Sequence, residues 1–397
     1  MRHHRLGKAG CVIGVLGLTG ALVSQFSSSG SVRAASKTPE PGIGPRSILI
    51  GQSAAFSGPS ADLGREFREG AHQVFDEVNA QGGIHGRQVV MVYRDDRYEP
   101  ALALANTRKF LERDKVFALF GYVGTPTLKA ALPLIEKHRV PLIGPLTGAQ
   151  LIRDPINRLV VNLRASYHQE IEGIVSYLDR YGRRDLAIVY QDDAFGRDGL
   201  AGAMKALTKR QLRPVSIQTV QRNSTKTQEV ARRVALARPD AVLIISTYGT
   251  VASFITNLRS QGSQAQVMNV SFVGSNALSR ALPAALRHGI GISQVVPFPW
   301  NPRLPVVRDY QNTIRRNRSN ARYGFSSLEG YLAATTLVKA LKKAGPEPTR
   351  AGLIRAFDQL GEMDLGGYRL NFGSNRQNGS DHVSLSFLMG RQGAFFH

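Results

Sequence analysis

From residue 47 onward the sequence alternates short, nearly continuous apolar runs with segments whose apolar residues recur every three or four positions. The runs include Ile48-Leu49-Ile50, Val89 to Tyr93, Phe117 to Phe120, Leu186 to Tyr190, Ala241 to Ile245 and Val270 to Val273. A run that is apolar at every position, rather than at every second one, marks a strand covered on both faces, as in a parallel sheet. Between the runs, Leu63, Phe67, Ala71, Val74, Phe75 and Val78 fall on one stripe of a helix, which the Gly82-Gly83 pair stops. This rhythm constrains the chain to an α/β fold with parallel sheets and right-handed crossovers. At 397 residues it is long enough for two doubly wound domains, each with its own core.

The late segment departs from the rhythm. Ser326 to Lys343 reads as a long helix and Thr349 to Leu360 as a short one, followed by strand-like pieces at 368–372 and 383–389. Such an ending fits a chain that crosses repeatedly between two lobes.

The formal net charge is +22, which raises the question of nucleic acid as a partner. The first 35 residues argue against it. Arg2, Arg5 and Lys8 precede an apolar stretch from Cys11 to Val23, and a Ser-rich stretch then reaches Val32-Arg33-Ala34-Ala35. The layout is that of a secretory signal peptide, residues 1–34, and the apolar run is too short for an ordinary membrane-spanning helix. An uncleaved N-terminal anchor is the alternative. Cleavage removes four positive charges and the only cysteine, leaving +18 on a mature chain expected in the periplasm, away from cytoplasmic nucleic acid. No nucleic-acid-binding motif appears downstream, and none is expected as a partner.

No GxSxG elbow, P-loop, HExxH or strand-to-helix GxGxxG is present, and the nine histidines lack metal-ligand spacing. Asp95-Asp96 and Asp192-Asp193 follow strands, where loop aspartates commonly cap helices rather than act as acids or bases. Catalytic residues, metals and cofactors are therefore not expected. The loops offer binding architecture instead, because ligands of open α/β sheets collect beyond the carboxyl ends of the strands. Ser53 to Pro59, with Phe56 as its aromatic, follows the first strand, and Gly121 to Thr127 leads into a helix. There Thr125 suits the N-cap and Pro126 the first helical position. Gly144 to Gly148 follows the next strand, and the three loops form one wall of a cleft.

At this point the chain resembles the type I periplasmic solute-binding proteins of ABC importers, in the branched-chain amino acid and amide-binding group. The most specific match is Asn79 to Gly86, read N-x-x-G-G-I-x-G, followed by Arg94-Asp95-Asp96. Ser57-Gly58-Pro59, Ile143-Gly144-Pro145, Asp192 to Gly196 and Glu329 to Ala334 add to it. The resemblance implies two Rossmann-like lobes joined by a three-segment hinge, assigned to 47–163 plus 296–345 and to 164–295 plus 346–397. It also implies a monomeric protein that closes on a small-molecule ligand and presents it to an ABC permease in the inner membrane.

Carried over by position, Thr125 is the hydroxyl that meets a ligand carboxylate, and Leu146, Thr147 and Gly148 form the next contact loop. Leu63 and Phe195 stand where the group often has aromatics, so at 195 a ring survives without its hydroxyl. Tyr248 is close to another aromatic contact, and Asn276 falls near the acid that pairs with an amino acid's ammonium. A buried ammonium without its counter-charge is costly, which favours a neutral or anionic solute such as an amide or an organic or aromatic acid. The group's frequent cysteine bridge is absent, with Tyr98 and Gly124 in its place. An extracytoplasmic sensor that signals to a membrane receptor, and a secreted α/β enzyme, are the alternative readings. A DNA-binding regulator of similar core would need a helix pair where the leader stands.

Overall fold

The computed structural model describes residues 40–317 and 322–389 and the backbone of Ala394–Phe396. The expected leader, including Cys11, lies outside the described residues. Two parallel sheets form the frame. The first contains β1 (Ser47–Ala54), β2 (Gln88–Asp95), β3 (Ala118–Phe120), β4 (Leu142–Ile143) and β5 (Val160–Val161), in the spatial order β2-β1-β3-β4-β5. The second is built on β6 (Leu186–Gln191), β7 (Ser216–Val220), β8 (Ala241–Ile245), β9 (Gln266–Asn269) and β10 (Gly291–Gln294). A hairpin, β11 (Glu362–Asp364) with β12 (Arg369–Asn371), precedes β13 (Ser384–Met389) and β14 (Ala394–Phe396). These last two extend the second sheet antiparallel beyond β10.

Helices cover both faces: α1 (Ala61–Ala80), α2 (Pro100–Glu112) and α3 (Thr125–Lys137) on the first sheet, and α4 (Tyr167–Arg180), α5 (Ala194–Thr208), α6 (Gln228–Leu236), α7 (Tyr248–Ser260) and α8 (Ser275–Ala281) around the second. The later helices are α9 (Pro305–Arg316), α10 (Phe325–Ala344) and α11 (Arg350–Leu360). Central strands such as β8 are buried at every residue, as their unbroken apolar sequence requires. The fold is therefore α/β with two doubly wound lobes, as the strand and helix pattern implies.

The helix α10 packs face to face on α1, although some 260 positions separate them in sequence. Glycines make the approach possible: a Cβ on Gly70 would lie 1.8 Å from the Ser327 carbonyl oxygen, and one on Gly330 would lie 2.0 Å from that of Phe67. No residue with a side chain fits at either place.

Two local expectations are corrected. The segment Val270 to Val273 is not a strand. The strand lies earlier, where Val267 and Met268 pair with Val242 and Leu243, and Ser271–Val273 form a 3₁₀ turn that delivers α8. Both stretches are apolar, so composition alone did not separate them. The N-cap of α3 is Gly124 at φ +94°, and Thr125 is the first helical residue.

The tail ties the lobes together. The Tyr368 hydroxyl shares its one proton between the carbonyls of Leu163 (3.0 Å) and Val295 (3.1 Å), joining two chain crossings. A further stretch of the tail, Gln377 to Gly379, runs beside the first of these: the Asn162 N–H donates to the Gln377 carbonyl at 2.8 Å, and the Asn162 carbonyl accepts from the Gly379 N–H at 2.8 Å. Arg350 at the start of α11 donates to the carbonyls of Val116, Phe117 and His138, so α11 rests against the first sheet's elements. Among the described residues no helix is long and apolar enough to cross a membrane.

Candidate functional site

The C-terminal ends of β3 and β4 aim their loops at the second lobe, and small residues let those loops approach each other. Val123 and Leu146 form a parallel bridge, and the Leu146 N–H donates to the Tyr122 carbonyl at 2.8 Å. This register sets Thr125 beside Thr147, and their hydroxyl oxygens lie 2.7 Å apart, both side chains fully buried. The Gly148 carbonyl accepts from the Tyr167 N–H at 2.8 Å, which seats the start of α4 on the same loop.

Four rings meet beside this hydroxyl pair. Tyr98, at the end of the first lobe's second strand–helix loop, reaches Phe272 with ring centroids 5.8 Å apart. Phe272 stands 4.8 Å from Phe195, and Phe195 stands 5.0 Å from Tyr167. All four are buried. The Tyr98 ring lies against Gly124, where a Cβ would come within 2.2 Å of its Cε2 atom. The two positions that stand in place of a cysteine bridge are thus in contact, with one large ring on a bare backbone. The Tyr98 hydroxyl accepts from the Gln191 side-chain amide at 3.3 Å, a bond between the lobes.

Of the residues expected at the site, Thr125, Leu146, Thr147, Gly148, Leu63 and Phe195 converge on this seam. Leu63 and Leu146 line a cavity of ≈ 10 Å³, room for about one water, with Phe272, Phe325, Gln294 and Glu329. The remaining three lie apart. Phe56 packs edge-on against Tyr93, at 5.8 Å, under the Arg68 guanidinium. The Tyr248 hydroxyl accepts from the Asp62 N–H at 3.5 Å on the rim. The Asn276 amide is spent on the Tyr323 carbonyl at 3.0 Å.

Sequence reasoning missed Tyr167, Phe272, Arg164 and Glu329. A signal for Tyr167 was present: Ser166 and Gln169 form a capping box, each side chain bonded to the other's backbone N–H, which fixes Tyr167 as the first residue of α4. Arg164 and Glu329 belong to a buried charge cluster behind the seam. Arg164 donates to Glu170 at 3.1 Å and to Ser271, and its guanidinium lies 3.5 Å from the Glu329 carboxylate. Glu170 also accepts from the Ser271 N–H at 2.8 Å and the Ser293 hydroxyl at 2.6 Å. Burial pushes the Glu329 carboxyl up to about 7, against the pull of Arg164.

The paired aspartates are occupied structurally. Burial works to raise the Asp95 carboxyl, but bonds from the Ser57 hydroxyl and from the Phe56, Arg97 and Ser57 N–H groups hold it below the usual carboxylate range. Asp96 accepts from Ser53 at 2.7 Å and from the Tyr98 N–H at 2.9 Å. Asp193 caps α5 through the N–H groups of Phe195 and Gly196. Among the described residues no three His, Cys, Asp or Glu side chains gather as a metal site.

Charged clasps flank the seam. Arg280 donates to Asp62 and to Glu66, each at 2.9 Å, and Arg222 donates to Glu99 at 3.0 Å while approaching Asp193 at 3.4 Å. Asn223 adds a bond to Glu99 at 3.0 Å and accepts one from Ser60 at 3.0 Å.

Comparison with known proteins follows the same outline. The periplasmic binding protein family matches residues 47–385. An amino acid binding protein of Pseudomonas aeruginosa is 22% identical over 314 residues, covering 77% of this chain and 81% of the relative. The crystal structure of a possible leucine/isoleucine/valine-binding protein from Rhodopirellula baltica superposes with a TM-score of 0.84 at 31% identity, over 91% of this chain and 98% of that one. A substrate-binding periplasmic protein from Ralstonia solanacearum superposes with a TM-score of 0.83 at 28% identity, over 88% and 99%. Two lobes in this topology, a shared seam and a match across nearly all the described chain lead to one assignment: the chain belongs to the periplasmic binding protein family, of the type I, Leu/Ile/Val-binding kind.

Proposed function

We propose that this chain is the periplasmic solute-binding component of an ABC importer, exported by a leader at 1–34, which captures a small carboxylate- or amide-bearing solute without turning it over. The observation that carries the reading is the Thr125–Thr147 hydroxyl pair, buried where the two lobes of a periplasmic binding protein meet. Hydroxyl donors on first-lobe loops suit a carboxylate or amide oxygen. Phe195, Tyr98 and Phe272 suit the apolar remainder of the solute, while Leu63, Leu146 and Gly148 set its approach. Parting of the lobes about the crossings near Leu163, Val295 and Gln377 would admit the solute, and the clasps of Arg222 and Arg280 would hold the closed form. On this plan the first lobe takes 47–163, 296–345 and also α11, because of the bonds of Arg350, and the second takes 164–295 and the final strands. The permease would dock on the closed form, and the basic exterior would draw anions towards it.

A thermal-shift screen of the purified protein against amino acids, amides, ureas and organic acids tests the reading. A specific solute raises the melting temperature with the logarithm of its excess over its dissociation constant. If no member of the screen does so at millimolar concentration, the solute-binding reading fails for these classes.

A further inference from the structure

We infer that Tyr167 is a ligand-contacting residue and that the ring-lined seam selects a solute carrying an aromatic ring next to a carboxylate. This rests on the solute-binding reading and narrows it.

The first observation concerns hydrogen bonds. The Tyr167 side chain is fully buried, and its hydroxyl completes no hydrogen bond of good geometry among the described residues, although the Thr147 hydroxyl stands close enough to interact with it. Buried hydroxyls are ordinarily paired, and an unpaired one calls for an explanation. This one lies beside the Thr147 hydroxyl, which pairs with Thr125. Within the threonine pair one O–H donates to the other oxygen, so one hydroxyl proton remains unspent. The Tyr167 proton makes a second. Two donors, one from each lobe, match the two oxygens of a carboxylate. Arg153 stands behind the same loop, donating to the Thr147 carbonyl at 3.5 Å and to the Asn378 side chain at 3.0 Å, and it adds positive charge there. At the rim Asn276 offers an ammonium no charge.

The second observation concerns shape. Tyr98 comes from the first lobe, and Tyr167, Phe195 and Phe272 come from the second. Their neighbouring planes meet at 43° to 76°, the tilted and edge-on arrangements that aromatic quadrupoles favour. Parting the lobes separates Tyr98 from Phe272. A solute ring entering there regains an aromatic partner on each side. An aliphatic chain fills the volume without that term.

The test uses the full chain and isothermal titration with benzoate, 4-hydroxybenzoate, phenylacetate, cyclohexanecarboxylate and L-leucine. At least one of the three aromatic acids is expected to bind about tenfold or more tighter than cyclohexanecarboxylate and L-leucine. Tyr167→Phe, which keeps the ring and removes only the hydroxyl, is expected to weaken that acid about tenfold with the melting temperature retained. Phe195→Leu is expected to narrow the gap between the aromatic acid and cyclohexanecarboxylate. Unchanged affinity in Tyr167→Phe, or equal affinity of the wild type for cyclohexanecarboxylate, overturns the inference, and the second result needs no variant to fold. Binding of L-leucine alone overturns it and leaves the solute-binding reading standing. Binding of none of the five also overturns it, and the broader thermal screen then decides that reading separately.

Discussion

Arg164 and Glu329 face each other at 3.5 Å with side-chain exposures of 1% and 9%, one on the crossing into the second lobe and the other on α10. Arg164 also serves Glu170, so two acids share one guanidinium out of water. Burying charge in this way contributes little to stability by itself, but removing a partner from such a cluster is costly.

This arrangement predicts a pH dependence. The Glu329 carboxyl is raised from 4.5 to about 7, chiefly by burial, with Arg164 and Arg153 opposing and Glu170 adding to the rise. Between these values the folded state holds a proton that the unfolded state has released. The stability linked to this group is therefore fully present below about 4.5 and is lost as pH rises through 7. Denaturant titrations of the wild type and of Glu329→Gln should diverge across that window by on the order of 1–3 kcal/mol, the wild type losing more. A difference independent of pH would show that Glu329 does not titrate there.

Gly124→Ala should be strongly destabilising. The backbone stands at φ +94°, and the added methyl would lie 2.2 Å from the Tyr98 ring. Strain and overpacking together should cost about 2–4 kcal/mol in urea unfolding. Combining it with Tyr98→Leu, which vacates the clash, should recover part of the loss, and no recovery would place the cost in the backbone alone.

Thr125→Val removes one hydroxyl of the 2.7 Å pair and leaves the Thr147 oxygen without that partner. Stability should fall by about 1–2 kcal/mol. Affinity for any solute found by the thermal screen should fall about tenfold or more. Full retention of affinity for every such solute would remove the first lobe's loops from the binding account.

Arg280→Gln cuts bonds of 2.9 Å to both Asp62 and Glu66. The guanidinium is partly exposed, so global stability should change by no more than about 1 kcal/mol. Solute dissociation should quicken, and its acceleration by added KCl should be smaller than in the wild type, as stopped-flow release would report. Equal salt dependence in both proteins would show that this clasp does not hold the lobes closed.

The parts of the fold that could be read in advance are those whose pattern is long. The stripe from Leu63 to Val78 gave α1 almost to its ends, and the all-apolar β8 announced a covered strand. Two-residue strands such as β4 and β5 are too short to carry any period. Val270 to Val273 misled because a turn buried among apolar neighbours has the composition of a strand.

The candidate site divides in a similar way. Thr147 stands on a loop that follows a strand, and Thr125 and Phe195 in the first turn of helices that do, so chain order alone places them near the lobes' junction. Phe272 and Glu329 come from a short turn and a helix interior, and only the packing of distant segments delivers them to the seam. Asn276 is oriented by the Tyr323 carbonyl, a contact between segments far apart in the chain that no local pattern encodes.

The pairing of α1 with α10 bears on how the molecule is made. Until Ser327 and Gly330 have been synthesised, α1 lacks the helix whose backbone packs on it at Phe67 and Gly70. The ties from Arg350 and Tyr368 arrive later still. Long-range closures of this kind are slow and cannot begin on a partial chain. A nascent polypeptide of this design cannot close its core until the segment carrying Tyr368 has emerged, and so stays partly unfolded while most of it is being made.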